Sequence, residues 1–541
     1  MFKPLISCYG PWLAAVLLTF GCNPSRQPET PAKEPAEERS ATVSDARRGG
    51  ASRSPHRVED EPSTGESRST ESPPPESPPP ESTVEAYLPP ELDVPAESRF
   101  PGAPSGTLGD LLTIPDSPGS LVRNLPRVEV DEKAAARFGI RKLTGERLTL
   151  FTDLASDDEV DRLPEVFDRA FPQWCAYFGI DREEHADWKM TGFLMNDKQR
   201  FVQTGLLPPK LPPFEHGFSR NFDLWLYEQP SAYYRRHLLL HEGTHGFMNT
   251  MLGSCGPTWY MEGVAELLAT HRWGEGRLEL NWIPTSREEV PMWGRIKIIN
   301  EAFQNGEAIG LDDVIRYRVR EHHEAEPYAW CWAAACLLDG HPAYRDRFRR
   351  LSRFVREPDF SERFRQLVGD DWDDLAEQWA AFVANLEYGH DIQRTMLDFT
   401  PGKPLAESRA TVSVAADRGW QNSGLQLDAG KTYRLRARGR YQVAEEPQIW
   451  WCEPGGVSIR YHHGLPLGVL LGAVRPDEVP HGQPRTLIRS VTIGLEGVLA
   501  PSETGTLFLR VNDSDGELHD NAGSLVVEVE RETEPAGDGS L

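Results

Sequence analysis

Apolar positions along this chain change their period, and the changes divide it. Arg147-Leu-Thr-Leu-Phe-Thr152 alternates and predicts a strand. Over Asp157 to Phe178 apolar residues return at helical spacing (Val160, Leu163, Val166, Phe167, Ala170, Phe171, Trp174), and Gly179 supplies a stop. Lys189 to Met195 and Phe222 to Tyr227 predict two further strands, separated by the Pro-rich loop 208–213. From there to about residue 395 the period is mainly helical, with one break between Gly274 and Pro291. Beyond Pro401 it returns to alternation. Thr411 to Val414, Thr432 to Ala437, Leu507 to Val511 and Leu525 to Val529 are separated by Gly, Pro, Asn and Asp, which predicts an all-β sandwich.

Residues 23–124 have no such period. They are rich in Pro, Glu, Ser and Arg and contain the tandem Glu71-Ser72-Pro73-Pro74-Pro75 and Glu76-Ser77-Pro78-Pro79-Pro80, so they read as a disordered, extended tether. Ahead of them, Lys3 precedes the apolar run Trp12 to Phe20 and then Gly21-Cys22. That run is too short for a stable membrane anchor and reads as a signal-peptide core. A small residue before cysteine resembles the bacterial lipobox, which implies that Cys22 carries a lipid and that the protein is exported to the cell envelope; plain secretion is the alternative. The expected organisation is therefore a leader (1–22), a linker (23–124), a mixed domain (125–400), a β-sandwich (401–531) and a disordered tail (532–541).

Composition adds exclusions. With 541 residues, more than one folded core is expected. A formal charge of −25 excludes a nucleic-acid binder, because nothing here would neutralise phosphates. Of seven cysteines, Cys175, Cys255, Cys331, Cys336 and Cys452 lie in the globular region, at no zinc-binding spacing. They allow at most two disulfides, and buried unpaired thiols are the other reading. His322-His323 and His462-His463 lack partners at ligand spacing and are expected to be solvated.

The candidate chemistry lies in the helical stretch. His241-Glu242-Gly-Thr-His245 is an H-E-x-x-H pattern. On a helix its histidines share one face one turn apart, and the glutamate can reach a metal-bound water as general base. Leu238, Leu239, Leu240 and Phe247 make this a buried helix, where ionisable groups need a partner. Glu262 follows after 16 intervening residues, enough for a helix end, a turn and the start of an antiparallel helix. His241, His245 and Glu262 thus form a His₂Glu zinc set with its fourth position open.

These residues resemble the gluzincins, the thermolysin and aminopeptidase N group, and in particular peptidase-MA-like exported bacterial relatives. There a W-x-x-E-G-x-A-E segment follows H-E-x-x-H, matched here by Trp259-Tyr-Met-Glu262-Gly-Val-Ala-Glu266. The resemblance covers about residues 145–395. It implies an α+β zincin domain, a small sheet plus a mainly helical part, that hydrolyses peptide bonds. It implies a supporting role for Glu266, against a plain surface glutamate, and an oxyanion-stabilising role for Tyr328, against simple packing. Aminopeptidases of this group carry a G-x-M-E-N strand; the nearest stretch here, Gly217-Phe-Ser-Arg-Asn221, lacks its glutamate, which favours an endopeptidase.

In the last domain, Asp513, Asp520 and Asn521 offer hard oxygens from one loop, suited to Ca²⁺, although hairpin loops favour the same residues. Gly419-Trp-Gln-Asn-Ser-Gly424, Ala429-Gly430-Lys-Thr-Tyr, Leu467-Gly-Val-Leu-Leu-Gly472 and this loop resemble, in order, the bacterial calcium-dependent galactophilic lectins over about residues 405–531. That resemblance implies a jelly-roll-like sandwich, calcium, and a galactose-containing glycan as partner. Glu517 stands where the family supplies a backbone carbonyl, and the family's other sugar-contacting residues have no counterpart that can be placed. Two readings follow: an exported zinc metallopeptidase with a carbohydrate-binding-like module, or a cell-surface glycan-binding protein with an inactive peptidase-like scaffold. Retention of Glu242 between the two histidines favours the first.

Overall fold

The computed structural model describes residues 127–317, 325–477 and 490–532. The leader with Cys22, the tether and its Pro-rich tandem, His322-His323 and nearly all of the tail lie outside them. Among the described residues, no helix is long and apolar enough to cross a membrane.

The first half combines one sheet with helices. Strands β1 (Arg141–Thr144), β2 (Leu148–Thr152), β3 (Met190–Met195), β4 (Gly217–Arg220) and β5 (Asp223–Tyr227) form a sheet of order β1-β2-β3-β5-β4. The three inner strands are parallel, and the edges β1 and β4 are antiparallel to their neighbours. β2, β3 and β5 correspond to the three strands predicted in this half. The helical stretch 157–178 divides into a short helix Asp158–Asp161 and α1 (Leu163–Phe178). The restart carries Pro164, whose missing N–H leaves no hydrogen bond unmade in a first turn.

Two longer helices follow, α2 (Ala232–Phe247) and α3 (Thr258–Ala269). Ser231 caps α2 by accepting from the Tyr234 amide at 3.0 Å. Gly253 and Gly256, both at φ 78°, let the chain reverse into α3. The predicted break, Gly274 to Pro291, begins inside a β-hairpin, β6 (His271–Gly274) and β7 (Arg277–Leu280), which turns at Glu275 and Gly276 with positive φ. The remaining principal helices are α4 (Arg295–Gln304), α5 (Glu326–Gly340), α6 (Pro342–Arg350), α7 (Phe360–Val368) and α8 (Trp372–Ala384). Helix ends at Ala384, short of the expected 395.

The second half is all-β: β8 (Lys403–Pro404), β9 (Arg409–Ala415), β10 (Gln421–Leu427), β11 (Tyr433–Arg438), β12 (Tyr441–Ala444), β13 (Trp450–Cys452), β14 (Gly455–His462), β15 (Leu465–Pro476), β16 (Val491–Thr492), β17 (Glu496–Leu499), β18 (Gly505–Val511) and β19 (Ser524–Arg531). One sheet runs β14-β15-β18-β10-β8 with β16 on β15; another runs β17-β11-β19-β9. Inward side chains of both, including Leu427, Leu435, Leu470, Leu509 and Val527, share one core.

The halves are docked. Arg475 on β15 donates to Glu377 on α8 at 2.8 Å, both nearly buried. Leu397, Ala473 and Phe508 close an apolar cluster beside them. Cys175, Cys255, Cys331, Cys336 and Cys452 are all free and buried, so the described cysteines form no disulfides.

Candidate metal centre

Helix α2 is buried from His237 to Phe247, which is why its sequence is not amphipathic. Its glycines serve packing. A Cβ on Gly243 would stand 2.6 Å from Phe167 and 2.9 Å from Trp174 on α1. Likewise a Cβ on Gly263 of α3 would stand 2.7 Å from the Cys331 carbonyl of α5, so α3 and α5 meet backbone to backbone there. That close approach brings the start of α5, with Tyr328, beside the histidines of α2.

The structure brings together every residue of the predicted zinc set. His241 Nε2 and His245 Nε2 lie 3.0 Å apart. Glu262 Oε2, from the antiparallel α3, is 3.3 Å from the first and 3.4 Å from the second. All three side chains are buried. A tetrahedral ion with bonds near 2.0–2.1 Å separates its ligand atoms by about 3.4 Å, so this triangle is of the right size to close around one ion. Glu262 Oε2 is buried with no hydrogen-bond donor of its own, as an atom awaiting a cation would be.

The electrostatics agree. Burial alone would push the His241 imidazole down, but Glu262 and Glu266 hold it up at about 9. Burial would raise Glu262, yet the two histidines bring it down to about 2. The pocket thus favours positive charge at its centre. Glu242 is raised chiefly by burial, against the pull of His241 and His245.

Glu266 is no surface residue. It is buried, with Oε1 3.3 Å from His241 Nδ1 and Oε2 3.3 Å from His237 Nε2. Arg295 of α4 donates to both its oxygens at 3.0 Å. Burial would raise this carboxyl, but Arg295 and His237 hold it well below the usual carboxylate range. Among the described residues the donor clusters that could share an ion are His241–His245–Glu262 and His237–His241–Glu266. The second already contains the Arg295 guanidinium, so it supports the first rather than holding an ion of its own.

Sequence reading missed His237 and Arg295. His237 stands one turn before His241 on the same face, a legible signal. Arg295 is 29 residues from Glu266 and gave none. Tyr328 lies beside His241: their ring centres are 6.1 Å apart, the Arg295 guanidinium carbon is 5.8 Å from the Tyr328 ring centre, and burial pushes the phenol up. Gly217 to Arg220, noted only for a missing glutamate, is the edge strand β4 and lies against Glu242.

In the C-terminal loop, Asp513 and Asn521 come together: Asn521 Nδ2 donates to Asp513 Oδ2 at 2.8 Å. Asp513 is fully buried, which raises it to about 7. Asn521 Oδ1 and Asp520 Oδ1 are buried without a hydrogen-bond partner. The Asp520 carboxylate otherwise accepts from the Glu445 amide at 3.4 Å. Glu517 pairs with Arg460. His462 is not solvated as expected; it packs against His463, and burial lowers it to about 4.

No family model matches this chain, and no curated protein matches it. Among solved structures, it is similar to the EclA N-terminal domain, a PllA-like lectin, at 23% identity over 24% of this chain and all of that one, with a TM-score of 0.19. IMPa from Pseudomonas aeruginosa, solved with an O-glycopeptide, is 12% identical over 52% of this chain and 28% of that one, with a TM-score of 0.15. An aminopeptidase N family protein from Idiomarina loihiensis is 12% identical over 73% of this chain and 69% of its own, with a TM-score of 0.24. These TM-scores fall well below the range of a common fold.

Proposed function

We propose that this chain is an exported zinc metallopeptidase of gluzincin type, an endopeptidase rather than an aminopeptidase. The observation that carries the reading is the buried triangle of His241 Nε2, His245 Nε2 and Glu262 Oε2 with Glu242 beside it. These three atoms would hold the zinc, which supplies Lewis acidity and brings a water pKa toward about 7. The Glu242 carboxylate takes the proton of the attacking water and hands it to the leaving amine; burial, which raises its pKa, suits that exchange. The Tyr328 phenol, kept protonated, donates to the developing oxyanion. Glu266, held by Arg295, fixes the His241 ring. β4 is a sheet edge beside Glu242, so an extended peptide can add to it as a further strand. With no glutamate on β4 to bind a free amine, an internal bond is the substrate.

For residues 401–531 we propose a jelly-roll-like module that binds calcium through Asp513, Asp520 and Asn521 and a galactose-containing glycan. The unpartnered buried oxygens of Asp520 and Asn521 support it. Domain limits of 125–400 and 401–531, with a cleaved leader or a lipid on Cys22, complete the proposal and rest on the sequence.

The test is hydrolysis of a quenched-fluorescent peptide library by the wild type and Glu242→Gln. Turnover by the wild type, lost in a variant that keeps its zinc, supports the enzyme. Zinc bound with no turnover in either protein would leave the inactive-scaffold reading.

A further inference from the structure

Strand β4 divides its side chains between the two faces of the sheet. Its register sets Gly217 opposite Leu226, Phe218 opposite Trp225, Ser219 opposite Leu224 and Arg220 opposite Asp223 on β5. Phe218 stacks on Trp225 with ring centres 6.3 Å apart, and the Arg220 guanidinium lies 5.0 Å from the centre of the same ring. Side chains alternate along a strand, so Gly217 and Ser219 face the other way, with Leu224 and Leu226, into the core that holds α2.

Two contacts fix that approach. A Cβ on Gly217 would stand 3.0 Å from Leu238 and 2.7 Å from Glu242. A Cβ on Gly246, one turn further along α2, would stand 3.1 Å from the Asn221 carbonyl. Ser219 lies between these two contacts. Its side chain hydrogen-bonds Glu242, which opposes the rise that burial gives that carboxyl.

The backbone of β4 points elsewhere. The Tyr227 amide donates to the His216 carbonyl at 2.8 Å. Bonded and non-bonded pairs alternate along an antiparallel ladder, so 216–227, 218–225 and 220–223 are the bonded pairs. Gly217 and Ser219 therefore turn their N–H and C=O groups outward, to the side of β4 that no described strand occupies. Ser219 has its backbone on the edge open to an extended peptide and its hydroxyl on the base.

On the peptidase reading above, we propose that Ser219 is a positioning residue: its hydroxyl donates to one oxygen of the Glu242 carboxylate and leaves the other to the attacking water. A glutamate side chain has several staggered rotamers, and a tie to the strand that receives the peptide selects the one aimed at the bond to be cut.

Ser219→Thr and Ser219→Val are nearly isosteric and differ in the hydroxyl. On a peptide that the wild type cleaves, Ser219→Val should lose about tenfold in kcat with KM unchanged within about twofold, and Ser219→Thr should recover most of the loss. Both should keep one zinc. Equal rates in the two variants, or a loss confined to KM, would overturn the proposal. Crystal structures of the zinc-loaded wild type and Ser219→Val add a readout independent of turnover. The wild type should place the Ser219 Oγ about 2.7 Å from a Glu242 carboxylate oxygen, and the variant should show that carboxylate rotated or split between conformers. A Glu242 side chain unmoved between them would likewise overturn it. A wild type that cuts no peptide yet shows this pair of conformations would contradict the peptidase reading and leave the tie between Ser219 and Glu242 supported.

Discussion

Gly217 of the edge strand lies directly against Glu242: a Cβ built there would stand 2.7 Å from Oε1 and 2.9 Å from Cγ of that glutamate. The strand and the base therefore share space that only glycine leaves free. Gly217→Ala should push the Glu242 carboxylate aside without touching the three metal ligands. The expected outcome is a fall in kcat/KM of about a hundredfold with one zinc still bound, read by steady-state kinetics and metal analysis of the same preparation.

Arg295 holds Glu266, and Glu266 faces the ring nitrogen of His241 that points away from the metal triangle. Such outer partners commonly contribute a factor of about 10–100 to metal affinity. Arg295→Met leaves the ligands in place but removes their support, so zinc should bind about 10–100 times more weakly in competition with a chromophoric chelator. Unchanged affinity would mean that Arg295 serves packing alone.

How much of this was legible beforehand differs by element. His241, Glu242, His245 and Glu262 were, because a helix maps i and i+4 onto one face and the 16-residue gap fits a turn. β2, β3 and β5 were, as short apolar runs bounded by turn and loop residues, the pattern of inner parallel strands buried on both faces. The edge strands β1 and β4 are short and mixed in polarity, and their place comes from pairing with neighbours, which no local pattern records. The hairpin β6–β7 was hidden by its position between helices, although Arg277-Leu-Glu-Leu280 alternates. Arg295 had no signal, because it acts from a different helix.

Acid should destabilise the fold through His271. Burial first, with the nearby Arg236, pushes its imidazole down from 6.5 to about 3, against the pull of the Ala269 carbonyl that its Nδ1 meets at 2.8 Å. Between those two values the unfolded chain binds a proton that the folded chain does not. The stability conferred by neutral His271 is therefore full above pH 6.5 and falls as pH drops toward 3, by about 1.4 kcal/mol per unit. Urea unfolding of wild type and His271→Gln across that range should show a shallower slope in the variant. Parallel slopes would show that His271 titrates normally.

Zinc content is the most direct test of the central claim. Inductively coupled plasma mass spectrometry on the purified chain should find one zinc per wild-type molecule, and a large loss in the folded double variant His241→Ala/His245→Ala. A wild type without zinc after reconstitution, or a double variant that retains it in full, would contradict the metal centre on which the account rests.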